Sequence, residues 1–195
     1  MTADTNAGPP ARSHKDYYTA LHQAALTFSS SLDLEQVLQS IVSSVTEAMQ
    51  VKACGLRLLD KQSGLLRLSA VHGLSGDYLA KGTVDVSRSQ IDSETLKGSP
   101  VVITDARTDP RFQYQEAARR EGLVSILAVP LEVHGEAVGV IRVYTNEPTS
   151  FNEKDIQFLT VLASLAALAI ENARLYESLK NSYDNVMDAL WGSSR

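Results

Sequence analysis

The side chains that most often carry chemistry are few in this sequence and widely spaced. Its only thiol is Cys54, and the candidate histidines are His72 and His134. One cysteine forms no internal disulfide and supplies too few ligands for a cysteine-based zinc site. Cys54 also lies mid-strand among apolar residues, where cysteine behaves as a small hydrophobe. We expect no metal site, and the sequence identifies no cofactor.

Recognisable catalytic motifs are also missing from the sequence. No serine sits in a nucleophile elbow, and the segment "GLSGDYLAKG" lacks both glycine patterns of phosphate-binding loops. We therefore predict no catalytic residue and do not expect an enzyme.

Polar residues in the middle of the chain have the types that could orient a ligand. The candidates are Tyr78, Asp92, Arg111, Tyr114 and Ser125. Asp105 and Asp109 suit turn capping instead, and Arg111 can pair with either. A few polar groups over an apolar floor orient a small molecule. We expect any ligand to lie between Ser125 and the irregular segment 74–122.

Two amphipathic helices open the ordered part of the chain. Residues 1–14 are rich in small residues and proline, which predicts a disordered tail. Apolar residues then recur at helical spacing from Tyr17 to Phe28. The second helix begins after Asp33, a predicted N-cap with Gln36 three residues later.

In the strand-like segments, the odd-numbered and the even-numbered positions are both largely apolar. In "VKACGLRLLD", only Arg57 interrupts the inner run, and "EAVGVIRVYT" is similar. A sheet with one solvent-facing side would alternate apolar with polar residues. Both faces must therefore be covered, and we predict an α+β fold of α/β/α layers. The terminal helices cover one face, and a lid of loops and short helices covers the other.

The last helix carries the strongest indication of mechanism. From residue 152 to about 190 it would measure on the order of 58 Å, longer than a domain of this size is wide. It has two apolar seams, and only one can pack on the sheet. We predict a homodimer. The predicted interface residues are Tyr17, Leu21, Phe28, Leu162, Ala166, Ala169, Ala173, Tyr176, Tyr183 and Met187. Alternatively, residues 178–190 fold back as a separate helix.

Composition and charge narrow the range of partners. The chain has 195 residues, is 44% hydrophobic and carries a formal net charge of −5. It has no basic run for phosphate backbones or anionic lipid, so we expect no nucleic acid and no membrane partner. The run "TVLASLAALAI" is too short to span a bilayer, and the N-terminus lacks a signal peptide's apolar core. We expect a cytoplasmic protein.

These features together resemble the GAF domain family, over roughly residues 17–178. The resemblance is carried by "LDLEQVLQSIVSSV", "LRLSAVHGLS", "GSPVVITDARTDPRF", "EGLVSILAVPLEVHGEAVGVIRVYT" and "FNEKDIQFLTVLASLAALAIENARLYE". It implies a central antiparallel sheet of five to six strands between a helical bundle and a ligand lid. It also implies a regulatory module, because GAF domains bind cyclic nucleotides, bilins, haem or small metabolites, or mainly mediate dimerisation. On this basis we assign residues 1–14 to a tail, 15–178 to the domain and 179–195 to a helical extension.

Specific branches of that family fit less well. Cyclic-nucleotide-binding members carry an Asn-Lys pair, a later Phe and then Asp-Glu. Here Asn146, Phe151 and Asp155 match, but Glu147 and Ile156 replace the Lys and the final Glu. We interpret "NEPTSFNEKD" as a helix start. The stretch "RFQYQEAARREG" contains neither the Cys nor the His typical of covalent bilin attachment.

The sequence thus predicts a sensor that binds a small molecule under the lid and reports to a downstream signalling protein. Two alternatives stay open. One is a dimerisation scaffold without a ligand. The other is an enzyme resembling the family's free methionine sulfoxide reductases, although that chemistry needs a second thiol to resolve the sulfenic acid.

Overall fold

The computed structural model describes residues 14–80 and 84–191, with side chains from Tyr17 to Ala189 in those ranges. Residues 1–13 of the predicted tail lie outside the described residues, and His14 already belongs to a helix. The elements are α1 (His14–Phe28), α2 (Leu34–Met49), β1 (Ala53–Asp60), β2 (Leu65–His72), α3 (Gly76–Leu79), β3 (Val84–Asp85), a 3-10 turn (Val86–Arg88), α4 (Gln90–Thr95), β4 (Val101–Ile103), α5 (Gln115–Glu121), β5 (Ile126–Val133), β6 (Glu136–Tyr144) and α6 (Glu153–Trp191).

The six described strands form one antiparallel sheet, which confirms the predicted α+β fold. Their order is β3-β2-β1-β6-β5-β4, so β1 and β6 lie at the centre. Gly139 faces Leu58 across this central pair, and an added Cβ there would collide with the Arg57 carbonyl. Glycine lets the two central strands approach each other at this point.

One face of the sheet is covered by α1, α2 and α6. The Asp33 side chain accepts from the Gln36 N–H and fixes the start of α2, as predicted. Helical spacing then directs an apolar stripe onto the sheet. Cys54 and alternate residues of β1, β5 and β6 meet that stripe in a closed apolar core.

The other face is covered by α3, α4, α5 and their connections. Its core contains Ala53, Ile126, Ala128 and Val140 from the strands, with Ile91 of α4. These strand positions alternate with those of the helix-side core because successive side chains of a strand point to opposite faces. The chain therefore has two cores separated by one sheet.

The start of α6 follows local helix rules. Asn152 Oδ1 accepts from the N–H groups of Lys154 and Asp155, at 2.8 and 3.2 Å, and Asp155 Oδ2 accepts from the Asn152 N–H at 3.0 Å. This reciprocal cap satisfies amide groups that the first turn leaves unpaired. Asp155 also accepts from the Tyr17 hydroxyl at 3.0 Å, which fastens α6 to α1. The interpretation of "NEPTSFNEKD" as a helix start is confirmed.

Helix α6 is continuous over 39 residues, so the alternative in which residues 178–190 fold back is wrong. The segment Glu153–Ala189 is long and apolar enough to cross a membrane by length and composition, with a mean hydropathy of 1.6 in one window. The expectation that this region is too short to span a bilayer was based on "TVLASLAALAI", which is only part of this segment. However, 44% of that window is buried inside the protein, as in a core helix.

The buried and exposed seams of α6 differ from the prediction. Four predicted dimer-interface residues are buried in the chain's own core, because their seam packs on the sheet: Phe28, Leu162, Ala166 and Ala173. Of the others, Tyr17, Leu21, Ala169 and Met187 are half-buried, while Tyr176 and Tyr183 are exposed. The solvent-facing seam consists of Val161, Leu165, Leu168, Leu175, Leu179 and Val186; Leu165 is half-buried and the rest are exposed.

Candidate ligand-binding site

Two arginines lie on the lid face of the central strands. Arg57 of β1 is opposite Val140 of β6, and Arg142 is two residues further along β6. The two arginines are thus diagonal neighbours, whose side chains are within reach of each other. Each is only 5% exposed. The residue opposite Arg142 is Gly55, so no side chain of β1 occupies that position.

Asp92 of α4 supplies the negative charge of this site. It is fully buried and pairs through Oδ1 with Arg142 Nη2. Its other oxygen accepts from the Ser89 hydroxyl at 2.6 Å. Burial disfavours the charged guanidinium of Arg142, but Asp92, Tyr144 and Tyr78 together outweigh that effect, so the pKa of Arg142 lies above its ordinary value. Arg142 is therefore charged, and the pair holds α4 against the sheet.

Two tyrosines complete the site. Tyr78 of α3 is buried, and its ring meets that of Tyr144 edge to face, with 6.2 Å between centroids. Burial raises the pKa of the Tyr78 hydroxyl above its ordinary value, although Arg142 and Arg57 act in the opposite direction. Tyr78 is accordingly a neutral phenol close to both guanidinium groups.

The charges in this site are not balanced. Among the described residues, Arg57 forms no ion pair, and its buried Nη1 has no hydrogen-bond partner. The Nε of Arg142 is also buried without a partner in this part of the chain. Two guanidinium groups face one carboxylate, which leaves one positive charge and two unused donors. Buried donors without partners are costly, and their clustering marks a candidate site.

A cleft of about 390 Å³ opens beside Tyr78, between α3 and α5. Glu121 at the end of α5 joins these two helices by accepting from the Ser75 backbone N–H at 2.8 Å and from the Ser75 hydroxyl. Tyr78 lines the cleft and also interacts with the arginines. Tyr78 is thus the residue that the cleft and the charged cluster share, and neither Arg57 nor Arg142 lines the cleft.

A second hollow, of about 250 Å³, lies between the β5–β6 hairpin and α6. Its walls include Val133, Val138, Ile170 and Leu175, with Glu171 and Arg174 at the helix. It is on the helix side, away from the lid, and its lining is mainly apolar. Of these two hollows in the described part of the chain, the lid-side cleft is the one lined by Tyr78 of the charged cluster.

The structure brings together only two of the five predicted ligand residues, Tyr78 and Asp92. Arg111 pairs with Asp109 at 2.7 Å and donates to the Val102 carbonyl at 3.2 Å, so it braces the turn before α5. Half-buried Tyr114 packs edge to face on Phe112.

Ser125 has a structural role in this fold. Its hydroxyl donates to the Thr104 carbonyl at 2.7 Å and accepts from the Thr149 N–H at 2.9 Å. These two bonds hold the loop after β4 and the loop after β6 against the start of β5. The ligand position over Ser125 stays a prediction, whereas the buried donors without partners lie at the middle of β1 and β6.

Arg57 and Arg142 are the site residues that sequence reasoning missed. The sequence marks Arg57 only as the single charge in an apolar strand. The available signal was strand parity: each arginine alternates with residues of the helix-side core, so both point to the lid face. A charged residue at a position that must be buried is a functional candidate.

Cys54 lies on the opposite face from this cluster. It is fully buried in the helix-side core, and burial raises the pKa of its thiol above the ordinary value. The nucleophilic form of cysteine is the thiolate, which this environment disfavours. His72 and His134 are both exposed, with His134 at the tip of the β5–β6 hairpin.

Curated relatives of the chain are regulatory proteins by name. A methyl sulfide methyltransferase-associated sensor of Methanosarcina acetivorans is 28% identical over 177 residues, which is 84% of this chain and 18% of the relative. A Nif-specific regulatory protein of Azospirillum lipoferum is 28% identical over 153 residues, 74% of this chain and 24% of the relative. The chain thus spans about a fifth to a quarter of these relatives.

Solved structures show the same fold. The GAF domain of a phosphoenolpyruvate-protein phosphotransferase from Coxiella burnetii matches with a TM-score of 0.75 at 24% identity, over 84% of this chain and 98% of that one. Free methionine-R-sulfoxide reductase from Neisseria meningitidis, in complex with its substrate, matches with a TM-score of 0.70 at 23% identity, over 88% and 99%. The family model for the GAF domain matches residues 33–170, more than half of the chain. The chain therefore belongs to the GAF domain family.

Proposed function

We propose that this chain is a cytoplasmic, non-catalytic sensor module that binds a small molecule under its lid and signals as a homodimer. The observation that carries the proposal is the 39-residue length of α6, whose apolar seam is exposed to solvent from Leu168 to Val186. The names of the relatives, a sensor and a regulatory protein, support this regulatory role. The unbalanced charges under the lid support the binding of a ligand.

The exposed seam of α6 has the spacing of a coiled coil. Leu168, Leu175 and Leu179 follow one another at intervals of seven and four residues. Leu175 is 62% exposed and Leu179 is 69% exposed. At 3.6 residues per turn, this seam lies on the side of the helix opposite the residues that pack on the sheet. The same seam on a second copy is the simplest partner for it.

Asn172 supports a parallel arrangement of the two helices. It lies in the seam between Leu168 and Leu175, at the spacing of an a position when those leucines occupy d. An asparagine at one a position pairs best with its equivalent in a parallel, in-register dimer. In that arrangement, both α6 helices end on the same side, where a downstream signalling protein can contact them.

The position of Cys54 argues against the sulfoxide-reductase alternative. The sulfoxide-reductase alternative needs an accessible thiolate in the ligand site, whereas Cys54 is buried on the helix side of the sheet. Unchanged ligand binding in a Cys54→Ser variant is expected, and sulfoxide reduction that disappears in that variant would contradict this part of the proposal.

The dimer is tested by the molar mass of the full chain in light scattering after gel filtration. Wild type is expected to run as a dimer, and a Leu175→Lys/Leu179→Lys double variant as a monomer with native circular dichroism. The matched control is Glu177→Lys/Asn181→Lys, which adds more charge to the other, also exposed, side of the same turns and should stay dimeric. A monomeric wild type would contradict the proposal.

Ligand binding is tested separately, by a thermal-shift screen of nucleotides, tetrapyrroles, amino acids and organic acids. A compound that binds only the native state must raise the melting temperature. At least one class is expected to do so in both wild type and the dimer control. A dimer that responds to no class would favour the scaffold alternative.

A further inference from the structure

We propose that the cluster of Arg57, Arg142 and Tyr78 is an anion site whose ligand is a small carboxylate. The inference rests on the proposed sensing function and names the chemical class of its ligand. It is carried by Arg57 Nη1 and Arg142 Nε, two buried donors without a partner among the described residues.

The first step concerns the charge of the site. Burying a guanidinium without a counter-ion is unfavourable, and proteins normally pair such a group. Asp92 is committed to Arg142 and to the Ser89 hydroxyl, so it does not neutralise Arg57. One negative charge is needed to balance the site. A carboxylate supplies one, whereas inorganic phosphate carries more at neutral pH.

The second step concerns hydrogen bonding. The two unused donors belong to arginines on adjacent strands, at diagonal positions on the same face. A carboxylate has two oxygens in one plane, and each can accept from a guanidinium N–H. Such charge-assisted bonds are about twice as strong as neutral ones. Both donors then gain a partner from one ligand group.

The third step concerns space and access. The lid-side positions of the central strands carry small residues, with Gly55 opposite Arg142 on one side and Ala128 on the other. The ring of Tyr144 lies 3.8 Å from the position that a Cβ at Gly55 would occupy, so this ring borders the site. The proposed ligand lies above the two guanidinium groups, between the sheet and the lid. Tyr78 connects this region to the cleft of about 390 Å³ between α3 and α5. A ligand of a few heavy atoms is expected to enter past its ring.

The test is a thermal-shift and calorimetric titration of the full chain with propionate and benzoate, each compared with its primary amide, and with inorganic phosphate. At least one carboxylate is expected to raise the melting temperature, and its amide is not. Removing Arg57 should weaken that binding roughly ten- to a hundredfold, the usual effect of losing a bond to a charged group.

The diagnostic variant is Arg57→Met, which keeps much of the side-chain volume. Because it removes an unpaired buried charge, it is expected to leave the melting temperature of the free protein unchanged or raised. The carboxylate-induced shift should then require a roughly ten- to a hundredfold higher ligand concentration. A purely structural arginine would give no loss of binding. The matched control is Arg67→Met on β2, since Arg67 is exposed and pairs with Asp60 at the surface.

A second measurement needs no variant. In the wild-type protein, the arginine Nε–Hε resonance of Arg142 is expected to shift with a carboxylate and not with its amide. The inference is overturned if no carboxylate binds, if phosphate alone binds, or if Arg57→Met binds as tightly as wild type. Binding of neutral compounds alone would overturn it but leave the sensing function intact. If nothing in the wider screen binds, the sensing function fails as well.

Discussion

The two faces of the sheet are both buried, but they are built from different chemistry. On the helix side, Leu56, Leu127 and Ile141 meet three helices in a core that holds no buried charged group among the described residues. On the lid side, the same strands present Arg57 and Arg142 next to Val140, Ala128 and Tyr144. Exposure alone does not distinguish the two faces. The distinction lies in whether the buried groups have partners.

This difference indicates that the two sides of the sheet have different roles. Close apolar packing on the helix side stabilises the fold. On the lid side, Arg57 lowers the stability of the fold, because a buried charge without a partner opposes folding. Proteins tolerate such sites where function requires them. If this interpretation is right, substitutions on the two faces will separate stability from binding.

The largest effect is expected for Asp92→Ala on the lid side. This change leaves Arg57 and Arg142 buried with no carboxylate, and breaking a buried ion pair costs about 3–5 kcal/mol. The free energy of unfolding from urea titration measures it. Adding Arg142→Met to Asp92→Ala is expected to restore part of the loss. A loss below about 1 kcal/mol, the size of a surface pair, would contradict a buried pair.

The second largest loss of stability is expected for Leu127→Ala on the helix side. The fully buried leucine packs in the apolar core, and its truncation costs about 3 kcal/mol through lost burial and the cavity left behind. The carboxylate-induced rise in melting temperature should remain. Its loss in this variant, with native circular dichroism, would show that the two faces are not independent.

Much of this comparison was accessible from the sequence, because it follows from local rules. The cap at Asp33, the start of α6 at Asn152 and the coverage of both sheet faces depend on residues close together in the chain. The length of α6 followed from uninterrupted apolar spacing. These features gave the fold class and the α/β/α layers.

The site could be predicted only in part, because its contacts join distant segments. Asp92 and Arg142 are 50 residues apart, and their pairing depends on the path of the lid. Ser125 and Arg111 have suitable side chains, but backbone carbonyls and Asp109 already engage them. The choice between the two seams of α6 likewise depends on how the helix is rotated on the sheet.

A smaller effect on stability is expected at Cys54, whose thiol is buried in the helix-side core. Because burial raises the pKa of this thiol, it should react with a thiol reagent such as Ellman's only when the protein unfolds. Labelling rates that follow unfolding in urea would agree. Cys54→Ser should cost about 1–2 kcal/mol, since it places a hydroxyl in an apolar core. Rapid labelling of the folded protein would contradict the closed helix side.

The smallest effect is expected at the rim of the lid, where ion pairs face solvent. A side-chain hydrogen bond from Arg107 is the main cause that lowers the pKa of Asp105 to about 2. Because this pKa is lower in the folded than in the unfolded state, where it is about 3.9, its stabilising effect is full above about pH 4. It is lost as the pH falls toward 2. Carboxyl NMR titration measures this pKa, and an ordinary value would contradict the pairing. The free energy of unfolding of the Asp105→Asn variant should be slightly below that of wild type at neutral pH. This difference should vanish as the pH falls toward 2.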